Sequence, residues 1–205
     1  MRIGTMFLGR VEPAGGHCIE TKFFVLGVPL IPLSSVYMVD ESGRQGIELP
    51  TVHGTSAVAG LVRTLLGVGM LIAGVFYFLG KEPMLLGLAI GCTLAWLWFM
   101  FAFGRLSDEE KAQRTVLIAL TGIGAPPELL PMGVRTELFR ELVALWERQP
   151  AAEGAERTPW KSQLEALDGL STEELSILFA LATHDDSVDA SRPWRALSTR
   201  LGTGR

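Results

Sequence analysis

The chain has 205 residues, 48% of them apolar and 20% charged, with a net charge of −4. Ordinary soluble domains carry about 25% charged residues, and the deficit here is concentrated: between Ser56 and Phe103 only Arg63, Lys81 and Glu82 are charged. This excludes a wholly soluble globule, a collagen-like or wholly disordered chain and, with only Cys18 and Cys92 present, a disulfide scaffold. No Lys/Arg-rich run offers a face for a phosphate backbone, so nucleic acid is not an expected partner.

The N-terminus, MRIGTMFLGRVEP, lacks the continuous apolar core of a secretory signal. The first hydrophobic helix is therefore expected to target the protein. Residues 1–54 alternate short apolar runs with turn residues and read as a small β-rich module. Ile3–Leu8, Cys18–Leu26, Val36–Val39 and Ile47–Leu49 are strand-like, separated by turns at Pro13-Ala14-Gly15-Gly16 and Glu41-Ser42-Gly43. The economical arrangement is an antiparallel meander. So short a segment is marginal as an independent core and is expected to lean on the bilayer or on the C-terminal region. Pro29 and Pro32 argue against a central strand or a helix through the end of the second run. Phe23, Phe24, Pro29, Leu30, Ile31, Pro32 and Leu33 accordingly read as an apolar loop that enters the membrane interface or covers a sheet edge.

The same stretch carries a resemblance. Thr21, Lys22, Phe23, Pro29, Leu30, Ile31, Pro32, Leu33 and Ser35, with Gly4 upstream and an apolar pair downstream, resemble a set of bacterial two-helix membrane proteins. Their N-terminal segments read roughly T-K-[WF]-[FV]…P-[LI]-I-P-L-x-S. The resemblance covers the first forty or so residues and implies a bacterial membrane setting, with no catalytic residue to carry over. Some of those proteins carry cysteine pairs for zinc; this chain offers only His17-Cys18 there, short of a four-ligand site.

Residues 55–104 read as a transmembrane helical hairpin. Ser56–Leu79 is a run of 24 residues with one charge, and Met84–Phe103 a run of 20 with none; a bilayer core of about 30 Å needs about 20 helical residues. The Gly80-Lys81-Glu82-Pro83 linker is too short for another crossing, so the helices are antiparallel and both termini share one side. Arg44, Arg63, Arg105, Lys111 and Arg114 flank the outer ends while the linker has Lys81 alone, which predicts cytoplasmic termini and a multi-pass protein of the bacterial inner membrane. Aromatic residues at both ends, Phe76 to Phe78 and Trp96 to Phe103, read as interfacial belts.

Small residues form stripes at Gly60, Gly67 and Gly74 on the first helix and at Gly87, Gly91 and Ala95 on the second. Such faces allow close helix approach in lipid. The simpler expectation is that they pack the hairpin against itself; the alternative is that one stripe makes a homo-oligomer or docks another subunit. Arg63 lies beside the first stripe near the cytoplasmic end and is expected to snorkel to the headgroups as a membrane anchor. Polar side chains in the two runs are too few for a pore or proton relay.

The C-terminal region reads as α-helical and acidic: a helical stretch over 105–148, a linker over 149–158 and a second helical stretch over 159–205. Ser107-Asp108-Glu109-Glu110 is a capping box opening a helix toward Leu120, and Ser171-Thr172-Glu173-Glu174 is another, leading through Leu175, Leu178, Phe179 and Ala182. Between them a helix over Val134–Arg148 aligns Val134, Leu138, Leu142, Leu145 and Trp146. The linker QPAAEGAERT is flexible in composition, Asp185–Pro193 is a polar loop, and a short helix Trp194–Leu201 precedes a frayed tail.

No nucleophile elbow, phosphate loop or dinucleotide motif occurs. The cluster His184-Asp185-Asp186-Ser187-Val188-Asp189 has metal-ligand types, but as a calcium loop it fails at Ala190 and Ala196; Asp189 or Ser191 reads instead as a helix cap. No catalytic residue, cofactor site or metal site is assigned. The expected fold is a two-helix transmembrane hairpin with a small β-rich N-terminal segment and an α-helical C-terminal region. The expected function is protein–protein interaction at the bilayer, as a scaffold, adaptor or small subunit, with a protein partner or a second copy. An accessory subunit of a transporter or channel is the alternative, and a membrane-bound enzyme the third reading.

Overall fold

The computed structural model describes residues 3–26, 29–39, 46–149 and 158–202, with the side chains of Ile3, Leu26, Pro29 and Leu30 outside that description. The expected turn at Glu41–Gly43, most of the 149–158 linker and the tail beyond Gly202 also lie outside the described residues. The chain divides into two compact units, residues 1–106 and 107–205.

The first unit is a four-stranded antiparallel meander joined to a helical pair. Strands β1 (Ile3–Ala14), β2 (His17–Leu26), β3 (Pro29–Met38) and β4 (Gly46–Glu48) lie in the order β1-β2-β3-β4. Gly15 and Gly16, both at positive φ, make the two-residue turn that brings Ala14 opposite His17. β1 is not a regular ribbon. Its register against β2 slips between Leu8 and Val11 and again between Val11 and Ala14, and Gly9 and Glu12 within these bulges have φ of 75° and 55°.

The proline segment is a strand, not the expected loop. β3 pairs with β2 from Val25↔Pro29 to Cys18↔Met38, with register shifts between Lys22 and Phe23 and between Phe24 and Val25. Two features make the prolines tolerable. Pro29 opens the strand, and β4 covers β3 only at Val36, Tyr37 and Met38, so among the described residues no strand pairs with β3 outside Pro32, which sits beside a bulge.

Two long helices follow, α1 (Gly54–Gly80, 27 residues) and α2 (Pro83–Phe101, 19 residues), both long and apolar enough to cross a membrane. Lys81 in the left-handed conformation closes α1 and Pro83 opens α2 in its first turn. With so short a linker the helices are flush at that end. α1 is the longer, so its first two turns overshoot α2, and four of its five buried residues (Ser56, Ala57, Ala59 and Gly60) lie in that overshoot.

The second unit is helical: α3 (Asp108–Thr121), a 3-10 turn (Pro127–Leu129), α4 (Met132–Arg148), α5 (Trp160–Gln163), α6 (Thr172–His184) and α7 (Ser191–Leu201). Both capping boxes form, Ser107 with Glu110 and Ser171 with Glu174. α6 is the centre, buried on nearly every side, with Leu117, Leu142, Trp146, Trp160, Trp194 and Leu197 packed in the same core. The indole N–H groups donate to Thr158 O from Trp146 and to Glu109 Oε1 from Trp194, at 3.1 and 2.6 Å. α7 starts three residues before the expected Trp194, because Asp189 accepts from Ser191 N at 2.9 Å and Ser191 Oγ at 2.7 Å. Pro193 then falls in the first turn, where its missing N–H costs nothing.

The tightest contact in the first unit is at Gly9, where an added Cβ would lie 1.9 Å from Ser56 O and 2.8 Å from Gly60 N, at a φ that L side chains avoid. Gly9→Ala is therefore expected to cost at least about 1–3 kcal/mol of backbone strain and to dislodge the sheet. Gly74→Ala, with open space around the new methyl, should leave stability unchanged or slightly raised. Thermal unfolding of the two variants in detergent, read by gel filtration, distinguishes them.

Candidate functional site

The most elaborate constellation in the first unit is the joint between the sheet and the overshoot of α1. Its centre is a chain of hydroxyls with a determined direction. Ser56 Oγ donates to Gly9 O at 2.7 Å, so it must accept from Thr21 Oγ1 at 2.9 Å. Thr21 in turn accepts from Ser35 Oγ at 2.8 Å, and Ser35 accepts from His53 N at 2.8 Å. Thr21, Ser35 and Ser56 are each fully buried. Every hydroxyl donates once and accepts once, which is what allows three polar side chains to be buried together.

His53 is the N-cap of α1: its Nδ1 accepts from Ser56 N at 3.4 Å, while its Nε2 faces Glu12 Oε1 at 3.4 Å. The β1 bulges supply the matching backbone. Glu12 N donates to Gly104 O at 2.6 Å, beyond the end of α2. Phe23 fills the socket at Gly60, where an added Cβ would lie 2.8 Å from its ring. Phe23 is thus a fully buried core residue rather than part of an interfacial loop. Period-two alternation explains the correction: Thr21 and Phe23 share the face of β2 turned to α1.

Arg63 clamps the joint through three hydrogen bonds to backbone carbonyls. Its Nε donates to Phe99 O at 2.8 Å, Nη1 to Arg10 O at 2.8 Å and Nη2 to Phe103 O at 3.4 Å. Phe99 O belongs to the last turn of α2, where carbonyls lack helical partners and a cation is favoured by the helix dipole, and Phe103 O lies just beyond the helix end. Arg10 O is turned out by the β1 bulge. One guanidinium therefore ties α1, α2 and β1, using the planar fork that lysine lacks.

Only one glycine of the two small-residue stripes lies in the seam of the hairpin. Of the stripe glycines only Gly67 faces α2, with an added Cβ 3.6 Å from Trp96 Nε1; Gly60 is turned to the sheet. At Gly74, Gly87 and Gly91 a Cβ would meet nothing within 4 Å among the described residues, and Ala95 is half-buried. The half-buried residues of α2 are Leu85, Ala89, Cys92, Thr93, Ala95, Trp96 and Phe99, and among them Leu85, Ala89, Cys92, Trp96 and Phe99 alternate by four and three along one face. Large side chains on that face fill the space the small residues were expected to close. The outer surfaces of both helices are strongly apolar and exposed, most of all Phe78, Leu79 and Met84 at 80%, 78% and 84%.

In the second unit a cavity of about 480 Å³ opens among α3, α6 and α7, walled by Leu117, Phe179 and Trp194 and edged by Arg114, Glu128 and Arg195. This is within the range of small-ligand sites, with charges of both signs on its edge. The metal-type cluster is tied up in turns and ion pairs. Asp185 accepts from Ser187 N and Oγ at 2.9 and 2.6 Å and faces Lys161 Nζ at 2.7 Å, while Asp186 faces Arg135 at 2.5 Å. Lys161 and Ser187 hold the Asp185 carboxyl down to a pKa of about 2. Among the described residues no three His, Cys, Asp or Glu side chains gather as a metal site.

His184 is buried at the end of α6. A carbonyl can only accept, so its Nδ1–H donates to Ala180 O at 2.9 Å, and Nε2 is buried without a hydrogen-bond partner among the described residues. Burial pushes this imidazole below its ordinary value of 6.5, against the opposing effect of the Ala180 bond. His17, near Tyr37 Oη at 3.2 Å in the other unit, is lowered by burial as well.

No family model matches the chain, and no curated protein or solved structure is similar to it. The residues themselves are the ground for a functional reading. Sequence reasoning singles out Thr21, Phe23 and Ser35 for a resemblance and Arg63 for its charge, and the joint uses all four. It misses Gly9, Glu12, His53 and Ser56. The available signals are an isolated glycine inside a strand pattern, which marks a bulge or close approach, and a polar pair at the start of an apolar run.

Two outcomes follow. Arg63→Leu should lower the unfolding temperature of the detergent-extracted protein by an amount equivalent to about 2–4 kcal/mol, since charged hydrogen bonds contribute about 1.5–3 kcal/mol. Arg63→Lys should recover less than half of this; full recovery would show that charge alone matters. For His184, the unfolded chain takes up a proton below pH 6.5 that the folded chain resists. Stability of the second unit should therefore be complete above pH 6.5 and fall as pH is lowered through the depressed value. Asp185, paired down to about 2, keeps its stabilising contribution until the pH falls below its ordinary 3.8. Tryptophan-monitored melts from pH 7.5 to 5 should show a fall that His184→Asn removes.

Proposed function

We propose that the protein is an interaction component of a bacterial inner membrane: a scaffold, adaptor or small subunit that acts by protein contact rather than catalysis. The observation that carries this is the exposed apolar collar of α1 and α2, two helices joined by two residues and bearing large side chains such as Leu71, Phe78, Met84 and Leu94 outward. Such a surface is unfavourable in water and ordinary in lipid. α2, at about 1.5 Å per residue, matches a hydrocarbon core of about 30 Å.

On this reading the pair crosses the bilayer twice. The excess of Lys/Arg at the outer ends over the linker favours cytoplasmic termini, and the resemblance around Thr21–Ser35 fits a bacterial membrane setting. The sheet and the helical unit are then both on the cytoplasmic side, and the latter brings a preformed cavity for a partner's segment.

The outward position of Gly87 and Gly91 supports assembly within the bilayer. Because an added Cβ at either position would meet nothing within 4 Å among the described residues, the backbone of another helix can approach α2 there. The same observation favours, as a second reading, a small subunit beside a transporter or channel.

The test is extraction of the tagged full chain in mild detergent followed by size measurement and identification of what co-elutes. A stoichiometric partner or a discrete homo-oligomer is expected. Gly91→Leu should abolish that association while leaving the unfolding temperature of the chain itself within about 1 °C, because Gly91 is exposed and a Cβ there meets no neighbour among the described residues. A lone monomer in the unsubstituted protein would refute the interaction reading.

A further inference from the structure

The joint sets the direction in which the sheet runs beside α1. At the start of the helix His53 meets Glu12 and Ser35; one turn on, Ser56 meets Gly9 and Thr21; a further turn on, Gly60 meets Leu8 and Phe23. From Ser56 to Gly60 the helix advances about 6 Å, and from Thr21 to Phe23 the strand advances about 6.6 Å. The strands therefore run alongside α1, and their far ends continue toward the middle of the helical pair. Arg63, which meets the last turn of α2 at Phe99 and the chain just beyond it at Phe103, marks the level at which the two-helix section begins. Met6 is two residues past Leu8, and Ile31 lies opposite Phe24, one residue past Phe23. Both come about 3–7 Å beyond the Gly60 level, abreast of Arg63.

Polarity changes along the strands in the same direction. Residues 3–8, 21–26 and 29–34 contain a single charge, Lys22, whereas the opposite ends hold Arg10, Glu12, Glu20 and Glu48. The far ends also leave large apolar groups uncovered, with Met6 53%, Phe7 42%, Ile31 57% and Leu33 48% exposed. Lys22, opposite Phe7 and Ser34 and one row nearer the joint, stands where a long cationic side chain reaches lipid phosphates.

We propose that the far ends of β1, β2 and β3 dip into the headgroup and outer acyl layer of the leaflet that surrounds the Arg63 end of the helical pair, so that the sheet is a second, monotopic membrane contact. The occupant of this apolar surface is lipid, because the surface is continuous in level with the apolar collar and its one charge is a cation. The proposal rests on the reading that α1 and α2 span a bilayer. Interfacial elements commonly bury their apolar face by about 5–10 Å, which suits the placement of Met6, Phe7, Ile31 and Leu33.

The test uses the full chain in phosphatidylethanolamine/phosphatidylglycerol vesicles, in a Cys18→Ala/Cys92→Ala background. An environment-sensitive fluorophore is attached to a single cysteine introduced as Ile31→Cys, Leu94→Cys or Glu48→Cys. Lipids carrying a nitroxide on the acyl chain and aqueous iodide serve as the two quenchers. The expected result is blue-shifted emission with nitroxide quenching at both 94 and 31, the latter strongest from nitroxides placed near the headgroup, and iodide quenching at 48. A lipid-buried probe at 94 with a probe at 31 open to iodide would overturn this proposal and leave the hairpin reading intact. A probe at 31 shielded from both quenchers would also overturn it, pointing to a protein-covered surface. A probe at 94 open to iodide would overturn the membrane reading itself. Ile31→Glu supplies an independent readout: it should reduce nitroxide quenching of a probe at Leu33→Cys severalfold without altering quenching at 94.

Discussion

The first unit depends on three buried hydroxyls. A helix start rich in backbone donors and a sheet face rich in side chains would not ordinarily come together without leaving polar groups unmatched. Thr21, Ser35 and Ser56 solve this by passing one hydrogen bond along, from His53 N at one end to Gly9 O at the other. Around that line the backbones come close: Gly9 lies against Ser56 and Gly60, and the Phe23 ring occupies the space a side chain at Gly60 would need. A single four-stranded sheet of this size has too little core of its own. Here it shares one with the overshooting turns of α1, and the irregularities of β1 are what present Arg10 O and Glu12 N to the helical pair.

The two units are stabilised by different means. In the helical unit, α6 is enclosed by its neighbours and three tryptophans in the core, and its ends are closed by a capping box and by Arg135 donating to His184 O at 3.3 Å. Burial of apolar area contributes most of the stability there. In the first unit the helical pair buries little of itself and turns its largest side chains outward. What holds it is directional: the Arg63 fork on three carbonyls, the His53 cap and the Trp96 side chain laid against Gly67.

A proline-bearing strand and an outward glycine stripe illustrate where pattern and packing part. Proline in a sequence reads as a breaker, yet its cost in a sheet is only the missing ladder bond, and that cost vanishes where β4 stops short of Pro32 and no strand among the described residues pairs with that edge. Glycine spacing reads as a packing seam, but spacing identifies a stripe without saying what it faces. The hairpin turns the stripe of α2 outward because Trp96 and Phe99 occupy the inner side.

The sequence by itself determined the two long apolar helices and their tight connection, the β-rich start, both capping boxes and the helical C-terminal unit. Those features follow from local rules: run length, period and cap chemistry act within a few residues and need no partner. Tertiary structure alone decided the joint, the role of Arg63 and the outward direction of Gly87 and Gly91. Each of these is a relation between atoms distant in the chain. Arg63 and Phe99 are 36 positions apart, and Ser56 and Gly9 are 47. A donor's partner is set by where the fold brings an unmatched carbonyl, and no residue pattern records that position.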